Sequence, residues 1–563
     1  MAIMSLPGRR PSFLLELDLD VPLVDPPPQA PLTKALSRGQ PALRTVLADL
    51  HRAAKDPRVA GLIVRTGGTS HPLAHAQELR DAIAEFGASG RPTVAWAETF
   101  GEFGRGTSGY LIATGCSEIW LQPTGEVGIT GMAAEAVFLR ELFDRLGLRA
   151  EVGARREYKN APNLVTERGY TEPHREAMTR LVTSSLAAVL DEITERRGLA
   201  ADELRRLVDR APIAAEDALA ARLVDHLGYR DEAYAALTAR LPGAQLRFLH
   251  RLGETPAARL RTAVARDRRH VAVVDVCGTI KSGRSGRNLF GAAAGADTVN
   301  AALRAAARDD HVGAVVLRVD SPGGSYIASD SIWRTSQGLR AAGKPLVVSM
   351  GAVAASGGYY VAIAADRILA QPTTVTGSIG VFGGKLVVGD LLTRHGIDHD
   401  AVAVGARARM SSPRVGFNAD QLAALDEWLD RVYADFTAKV AAGRGLSAEE
   451  IEAAARGRVW TGADARERGL VDAFGGLPEA VAQARALAGL APDAPARPLP
   501  VPSPLNRFAR PRSSEDPRAA AVLGPVSLAT SAAAGWESWA ELATALGLPA
   551  AGPLTLDVRA LRG

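Results

Sequence analysis

Cysteine is nearly absent from this sequence. Among 563 residues only Cys116 and Cys277 occur, and each lies inside an apolar segment. Two isolated thiols do not indicate a disulfide framework, and they do not indicate a cysteine-based zinc site. We therefore expect two buried free thiols.

The sequence also lacks an excess of charge of either sign. Its 66 lysine and arginine residues stand against 62 aspartate and glutamate residues, which gives a formal net charge of +4 and a pI near 9.1. No long basic block occurs, so the composition does not suggest nucleic-acid binding. The hydrophobic fraction of 47% is ample for the two or three domains that this length implies.

Long hydrophobic runs are missing where they would indicate export or membrane insertion. The first 29 residues contain no apolar core of signal-peptide length before acidic residues and prolines intervene. The most apolar stretch, 346–365, contains Ser349, Ser356 and several glycines and continues into turn residues. We expect this stretch to be a buried core segment, and we expect a cytoplasmic or peripheral membrane location.

Several common catalytic signatures are absent as well. The chain has no GxSxG elbow, SxxK pair, Walker A loop or HExxH pair, so the standard hydrolase, β-lactamase, NTPase and zincin interpretations find no support. A G-x-G-x-x-G match at 104–109 lacks the acidic residue that a dinucleotide site requires about 20 residues later. We therefore expect no cofactor and no metal.

What the sequence does contain is an internal repeat. Matching blocks recur in the same order at offsets of 253, 249 and 247 residues. These blocks are Val64-Arg65 with Leu317-Arg318, Gln122-Pro123 with Gln371-Pro372, and Leu223-Val224-Asp225 with Leu470-Val471-Asp472. Three blocks in one order indicate a tandem duplication.

Each copy alternates apolar strand-like runs with helical patterns, as in ALRAAARDD, VGAVVLRVD and PLVVSMG of the second copy. This alternation predicts an α/β class with right-handed βαβ units and a mainly parallel sheet. We predict an N-terminal extension (1–39), a first repeat (40–240), a connector (241–269), a second repeat (270–485), and a Pro/Ala-rich linker and tail (486–563).

The stretch 345–381 of the second copy organises the candidate chemistry. Its apolar run breaks at Gly351 and places Ser356 just before a helical pattern, so it predicts a strand, a turn and a helix. A helix N-terminus stabilises developing negative charge, which suits a nucleophilic hydroxyl. A small residue that allows tight packing of strand and helix is the other interpretation of Ser356.

The segment DSPGGS follows another predicted strand of the second copy. Paired glycines at this place, Gly323 and Gly324, let backbone N–H groups face a cavity as an oxyanion hole. A plain tight turn would also explain them. The first copy has only RTGGT there.

A hydroxyl nucleophile needs a base, and the duplication points to a lysine. The offset of 249 places Thr107 opposite Ser356, and it places Ala408 opposite Lys159 of the first copy. No lysine occurs between Lys385 and Lys439, so the second copy has no counterpart of Lys159. The two copies can therefore share one active site, unless Lys159 is an ordinary surface lysine.

The motifs DSPGGS, ASGGYYVA, QPTTVTGSIGV and VWTGADARERGLVD, with EYKNAP around Lys159, resemble those of the signal peptide peptidase A (protease IV) family over most of 40–485. The resemblance implies a duplicated ClpP/crotonase-like fold and a Ser/Lys-dyad serine endopeptidase. By this resemblance Ser356 is the nucleophile, Lys159 the general base and Ser378 the residue that orients the lysine, while Gly323 and Gly324 border the oxyanion site.

The resemblance also implies the partners. We expect peptide substrates such as cleaved signal peptides, a homo-oligomer in the form of a tetramer-like ring, and no nucleic acid. The membrane anchor that precedes many long members is not recognised here, and the tail beyond about 490 matches nothing in the family. A crotonase-type acyl-CoA enzyme and a non-catalytic scaffold are the alternatives, and neither requires an activated serine.

Overall fold

The computed structural model describes residues 12–25, 40–102, 105–253, 269–288, 291–499 and 554–555. The chain forms two compact units that are not contiguous in sequence. As far as their residues are described, the first unit comprises Met1–Met132 and Leu186–Asp267, and the second comprises Ala133–Ser185 and Arg268–Arg562. The segment 133–185, which includes Lys159, therefore belongs to the same unit as Ser356.

The first unit contains a six-stranded sheet in which all neighbours are parallel. Its strands, in spatial order, are His226–Leu227, Glu118–Leu121, Thr93–Ala97, Val59–Arg65, Ser12–Asp18 and Ala244–Phe248. A short antiparallel pair joins Glu126–Val127 to Ile213–Ala214. The strands at the centre are apolar and buried, as expected for a parallel sheet that is covered on both faces.

Helices cover the sheet of the first unit. Their bounds are Leu43–Lys55, Leu73–Gly87, Thr107–Ala113, Ala201–Arg210, Ala215–Ala220 and Arg230–Arg240, with a 3-10 turn at Leu249–Gly253. The helix Glu172–Arg197 contributes residues to both units. The core of the first unit forms where these helices pack on the strands, around side chains such as Leu15, Phe86 and Phe100.

The second unit contains an eight-stranded sheet. Its main path is Val459–Thr461, Val375–Gly377, Leu346–Ala355, Val312–Ser321, His270–Cys277 and Ala496–Leu499, and Arg367–Ala370 pairs with both Leu346–Ala355 and Ala473–Phe474. All pairs are parallel except that between Val375–Gly377 and Val459–Thr461. The predicted core segment 346–365 is almost entirely buried, which confirms that prediction.

Two smaller sheets complete the strands of the second unit. One is ordered Gly286–Asn288, Gly291–Gly295, Thr279–Lys281, Gly323–Gly324 and Leu554–Thr555. The other is an antiparallel ribbon of Arg149–Arg155 and Val381–Val387. This ribbon ties the segment 133–185 to the second copy of the repeat.

The helices of the second unit include one long helix, Ala419–Arg444. It begins at a capping box in which Asn418 and Gln421 exchange side chain to backbone hydrogen bonds, and it ends at Gly445, whose φ is 67°. The other helices are Arg140–Leu146, Asn163–Thr166, Ala296–Arg308, Tyr326–Ala341, Gly357–Ala362, Gly389–Arg394, Ala448–Ala454, Gly462–Glu467 and Leu477–Leu487.

Equivalent contacts recur in the two copies and show the duplication in three dimensions. A tyrosine hydroxyl donates to a leucine carbonyl, and an arginine pairs with an aspartate. These are Tyr110 with Leu223 (2.6 Å) and Tyr359 with Leu470 (3.0 Å), then Arg197 with Asp225 (2.9 Å) and Arg444 with Asp472 (2.7 Å). The predicted α/β class with a duplicated, mainly parallel architecture is confirmed.

Other expectations fare differently. Neither cysteine forms a disulfide within the described residues, but only Cys116 is buried, so the expectation of two buried thiols was wrong for the half-buried Cys277 at the end of a strand. No helix in the described ranges is long and apolar enough to cross a membrane. The predicted boundaries of the repeats stay predictions. Most of the N-terminal extension, connector and tail lies outside the described residues.

Candidate active site

Ser356 lies at the junction of the strand Leu346–Ala355 and the helix Gly357–Ala362. Its φ of 56° is unusual for a residue with a side chain, and its N–H donates to the Gly377 carbonyl at 2.8 Å. The residue is fully buried. A strained turn that the surrounding packing holds in place is a common feature of functional sites.

Lys159 reaches this junction through the antiparallel ribbon. Arg155 pairs with Val381 at one end of the ribbon. Lys159 follows four residues after Arg155, and Ser378 precedes Val381 by three residues. The register of the ribbon therefore brings a lysine from the segment 133–185 beside the motif TGSIGV.

The Lys159 amine has three close oxygen neighbours. Its Nζ lies 2.8 Å from Ser356 Oγ, 3.0 Å from Ser378 Oγ and 3.2 Å from the Ser378 carbonyl oxygen. All three side chains are buried, with Lys159 only 2% exposed. The structure thus brings together the three side chains that the sequence singled out.

Burial decides the charge of this lysine. It lowers the pKa of Lys159 from its ordinary value of 10.5 to about 7, because the buried site disfavours the charged ammonium form. Within the described ranges no carboxylate is paired with the amine to oppose this effect. Near neutral pH a large fraction of Lys159 is therefore an uncharged amine that can accept a proton.

Gly457 helps to hold Lys159 in place, and sequence reasoning missed it. Its N–H donates to the Ile379 carbonyl at 2.8 Å, and the next residue, Arg458, accepts a hydrogen bond from the Ser378 N–H at 2.7 Å. A Cβ at Gly457 would come 2.6 Å from the Lys159 backbone nitrogen. The signal was a glycine two residues before the motif VWTGADARERGLVD.

Gly323 and Gly324 lie against the residue that follows Ser356. A Cβ built on Gly357 would come 3.1 Å from both the Gly323 Cα and the Gly324 nitrogen. Both glycines have positive φ, 102° and 153°, and a Cβ on Gly324 would lie 2.1 Å from the Ile280 carbonyl oxygen. Only glycine is suited to these two positions.

The outer edge of the glycine pair accepts another strand. Leu554–Thr555 pairs with Gly323–Gly324 in antiparallel orientation, with Leu554 opposite Gly324. The backbone beside Ser356 can therefore hold an extended segment as an added β-strand.

A small cavity lies beside Ser378 and the two residues that flank Lys159. Its apolar lining includes Leu164, Met178 and Val459. Its polar lining includes Ser378 and His174. Burial lowers the pKa of His174 to about 4, so this histidine is neutral at pH 7. Sequence reasoning missed the cavity, because its walls come from segments far apart in the chain.

The first copy differs at each corresponding point. The N–H of Gly106, rather than that of Thr107, donates to the Gly128 carbonyl at 3.0 Å, as Ser356 does to Gly377. Ser108 is buried, and its Oγ accepts a backbone N–H at 3.1 Å. In the turn RTGGT the N–H of Gly68 donates to the Asp20 carboxylate at 2.8 Å.

The described part of the chain contains no group of three or more His, Cys, Asp and Glu side chains placed to hold a metal ion. What the arrangement around Ser356 can do is hydroxyl chemistry: an oxygen nucleophile, an amine with a depressed pKa and backbone amides lie together.

Comparison with known proteins identifies the family. The pattern described as Peptidase family S49 matches residues 85–242 and 338–491, which is more than half of the chain and falls once in each copy. The chain belongs to Peptidase family S49. This membership confirms the predicted signal peptide peptidase A (protease IV) resemblance and the predicted class, a serine-type endopeptidase, and it does not favour the acyl-CoA enzyme or the scaffold.

Relatives of this S49 chain carry matching names. Protease 4 of Salmonella typhi is 32% identical over 453 residues, which cover 78% of this chain and 71% of that protein. The chloroplastic serine protease SPPA of Arabidopsis thaliana is 28% identical over 443 residues, or 78% of this chain and 64% of that protein. A solved ClpP1 variant from Listeria monocytogenes aligns with 39% of the S49 chain and 99% of its own, at 15% identity and a TM-score of 0.25.

Proposed function

We propose that Ser356 is the nucleophile and Lys159 the general base of this peptidase. The observation that carries the proposal is the 2.8 Å distance between Lys159 Nζ and Ser356 Oγ in a buried site where the lysine pKa falls to about 7. A base with a pKa near the working pH is best matched to removing a hydroxyl proton.

The reaction proceeds through an acyl-enzyme. The neutral Lys159 amine takes the proton of Ser356 Oγ as this oxygen bonds to the carbonyl carbon of the substrate. The resulting ammonium then gives its proton to the leaving amine as the C–N bond breaks. During hydrolysis of the acyl-enzyme, Lys159 takes a proton from water as the water oxygen bonds to the acyl carbon. The bond between this carbon and Ser356 Oγ then breaks, and Lys159 returns the proton to Ser356 Oγ.

The backbone at Gly323 and Gly324 is proposed to border the oxyanion site. Its closeness to Gly357, directly after Ser356, supports this assignment. Amides that are already fixed where negative charge develops stabilise the transition state without reorganisation.

Ser378 is proposed to orient the lysine. Its hydroxyl and its carbonyl oxygen both lie within 3.2 Å of Lys159 Nζ. These two contacts hold the amine beside Ser356 Oγ. Ser378 itself is fixed through its N–H, which donates to the Arg458 carbonyl at 2.7 Å.

The substrates are proposed to be extended peptides with small or apolar side chains, such as the remnants of cleaved signal peptides. The strand that pairs with Gly323–Gly324 supports an extended backbone, and the apolar walls of the adjacent cavity support small or apolar side chains. The names of the curated relatives agree with proteolysis.

We further propose a homo-oligomer. Exposed apolar side chains support it, since they include Val402 and Val404, which are 100% and 94% exposed, together with Leu142, Leu146 and Ile397 of the second unit. Light scattering after gel filtration measures the oligomer size.

A cytoplasmic or peripheral membrane location is proposed because the expected substrates are membrane-derived, and cell fractionation tests it.

The test of the proposed function is labelling with a fluorophosphonate probe, since only an activated serine reacts readily. Ser356 is expected to be the labelled residue, and Ser356→Ala is expected to remove both labelling and peptidase activity while circular dichroism stays unchanged. Thr107→Ala is the matched control in the first copy and should keep full activity. Undiminished turnover of Ser356→Ala would contradict the assignment.

A further inference from the structure

Ser321 lies beneath the paired glycines and has no part in the proposed dyad. It ends the strand Val312–Ser321 and is fully buried. Its backbone carbonyl packs against the start of the helix that follows Ser356, because a Cβ on Gly358 would come 2.5 Å from it. Its side chain is therefore placed between the sheet and the site.

The hydroxyl of Ser321 makes two hydrogen bonds. Its Oγ donates to the Gly278 carbonyl at 2.6 Å and accepts the Gly323 N–H at 3.1 Å. The N–H of Gly278 in turn donates to the Asp320 carbonyl at 2.9 Å. Through one side-chain oxygen these bonds link Gly323 to Gly278, which directly follows the neighbouring strand His270–Cys277.

The link has a consequence for the oxyanion site. The Gly323 N–H points at Ser321 and is already used, so it does not point at a substrate carbonyl. The Gly324 nitrogen lies on the side of Gly357. Two successive glycines form the most flexible dipeptide in proteins, so a fixed direction of the Gly324 amide requires an external restraint.

The first copy supplies an internal comparison. Its turn also contains paired glycines, and Gly67 has a φ of 127°. There the second glycine, Gly68, donates its N–H to an anion, the Asp20 carboxylate, at 2.8 Å. In the first copy, a glycine amide at this end of the sheet therefore binds a negatively charged oxygen.

We propose that Ser321 is a positioning residue for the oxyanion site: its hydroxyl holds the Gly323 N–H so that the Gly324 amide faces the carbonyl oxygen of a substrate at Ser356. The inference rests on the proposed function and assigns different roles to the two glycines. The Gly323 N–H bonds to Ser321, and the Gly324 N–H binds the substrate oxygen. Ser321 stabilises the transition state through Gly324 and does not touch the substrate.

The test is a comparison of kcat and KM for Ser321→Ala on an apolar peptide. We expect kcat to fall tenfold to a hundredfold, about 1.4 to 2.7 kcal/mol, while KM changes less than threefold. A peptide aldehyde is the second probe, because its carbonyl carbon bonds to Ser356 Oγ and its oxygen enters the oxyanion site. Its inhibition constant should weaken by the same factor as kcat.

Two further variants sharpen the result. Ser321→Cys keeps the volume but bonds weakly to an amide, so it should be intermediate and carries the test if the alanine variant does not fold. Thr66→Ala is the matched control, since Thr66 precedes the paired glycines of the first copy and its buried hydroxyl has no hydrogen-bond partner among the described groups. Its kcat should be unchanged.

Several outcomes would overturn the proposal. They are an unchanged or raised kcat in both Ser321 variants, an aldehyde affinity that does not follow kcat, or a loss expressed in KM alone. Failure of the proposed function is a separate result: it would appear as activity in Ser356→Ala, whatever the Ser321 variants do.

Discussion

Val381 pairs with Arg155 across the antiparallel ribbon, and this register sets the distance between Lys159 and Ser378. The four residues after Arg155 lead to the lysine, and the three before Val381 lead back to the serine. The candidate base therefore depends on a strand pairing rather than on a flexible loop. Since a shift by one residue would turn every side chain to the opposite face, the ribbon also fixes which residue meets Ser356.

Lys159→Arg is expected to inactivate the enzyme as fully as Lys159→Met. A guanidinium stays protonated at any working pH and cannot accept the proton of Ser356. Steady-state hydrolysis of an apolar peptide measures the effect. Lys344→Arg, at a lysine that bonds to backbone carbonyls at 2.6 and 2.7 Å, is the control and should keep activity. Appreciable turnover by Lys159→Arg would rule out the lysine as the base.

The pH profile is expected to follow the lysine. Activity requires the neutral amine, so kcat/KM should rise with pH through a midpoint near 7 and be lost on acidification. Measurement of kcat/KM between pH 5 and 9 gives the midpoint. A kcat/KM that is still rising steeply at pH 9, towards the ordinary lysine value of 10.5, would show that the amine is not desolvated in the working enzyme.

Lys159→Met should stabilise the protein while it removes activity. The folded pKa of about 7 lies below the unfolded value of 10.5, so between these values the unfolded chain holds a proton that the folded chain lacks. The destabilisation by Lys159 is therefore fully present at pH 7 and below, and it fades as the pH approaches 10.5. The shift corresponds to about 5 kcal/mol.

The measurable gain from Lys159→Met at pH 7 should be smaller, on the order of 3 kcal/mol, because the hydrogen bonds to Ser356 and Ser378 are lost. Urea denaturation at pH 7 and pH 10 measures it. The difference between variant and parent should shrink at pH 10. A variant that is less stable than the parent at pH 7 would contradict the burial argument.

Ser378→Ala should lower kcat by about tenfold and move the pH midpoint to a lower value. The serine oxygen 3.0 Å from Nζ stabilises the ammonium form, so its removal lowers the lysine pKa further. A pH profile of the variant separates the two effects. A drop in kcat with an unmoved midpoint would indicate a packing role for Ser378 instead.

Gly324→Ala is expected to abolish activity and to destabilise the protein, since the new Cβ would lie 2.1 Å from the Ile280 carbonyl oxygen at a φ of 153°. Gly338→Ala is the control, because nothing lies within 4 Å of its Cβ position in the helix Tyr326–Ala341. It should raise stability by about 0.5–1 kcal/mol. Thermal unfolding and peptide hydrolysis distinguish the pair.

Much of the fold could be predicted from the sequence because local patterns are strong there. The run before Ser356 is apolar and β-branched, and glycines follow it, so the strand, turn and helix were all predictable. The repeat offsets predicted the duplication, which the paired tyrosine and arginine contacts of the two copies bear out.

The rest of the candidate site depends on long-range pairing. Nothing local in Arg149–Arg155 indicates that it joins Val381–Val387, which lies more than 200 residues away in the chain. The close packing of Gly457 against Lys159 and the cavity beside His174 also arise where segments that are distant in the sequence pack together. Likewise, the one-residue difference between Gly106 and Thr107 follows from backbone hydrogen bonds that an ungapped alignment does not see.

The Asp20 carboxylate on the Gly68 amide has a consequence for stoichiometry. In that turn of the first copy the Gly68 amide already binds a negative oxygen of its own chain, at 2.8 Å, so this amide is not available to a second tetrahedral adduct. A pre-steady-state burst with an activated ester should therefore release one equivalent of leaving group per polypeptide, although the architecture is present twice.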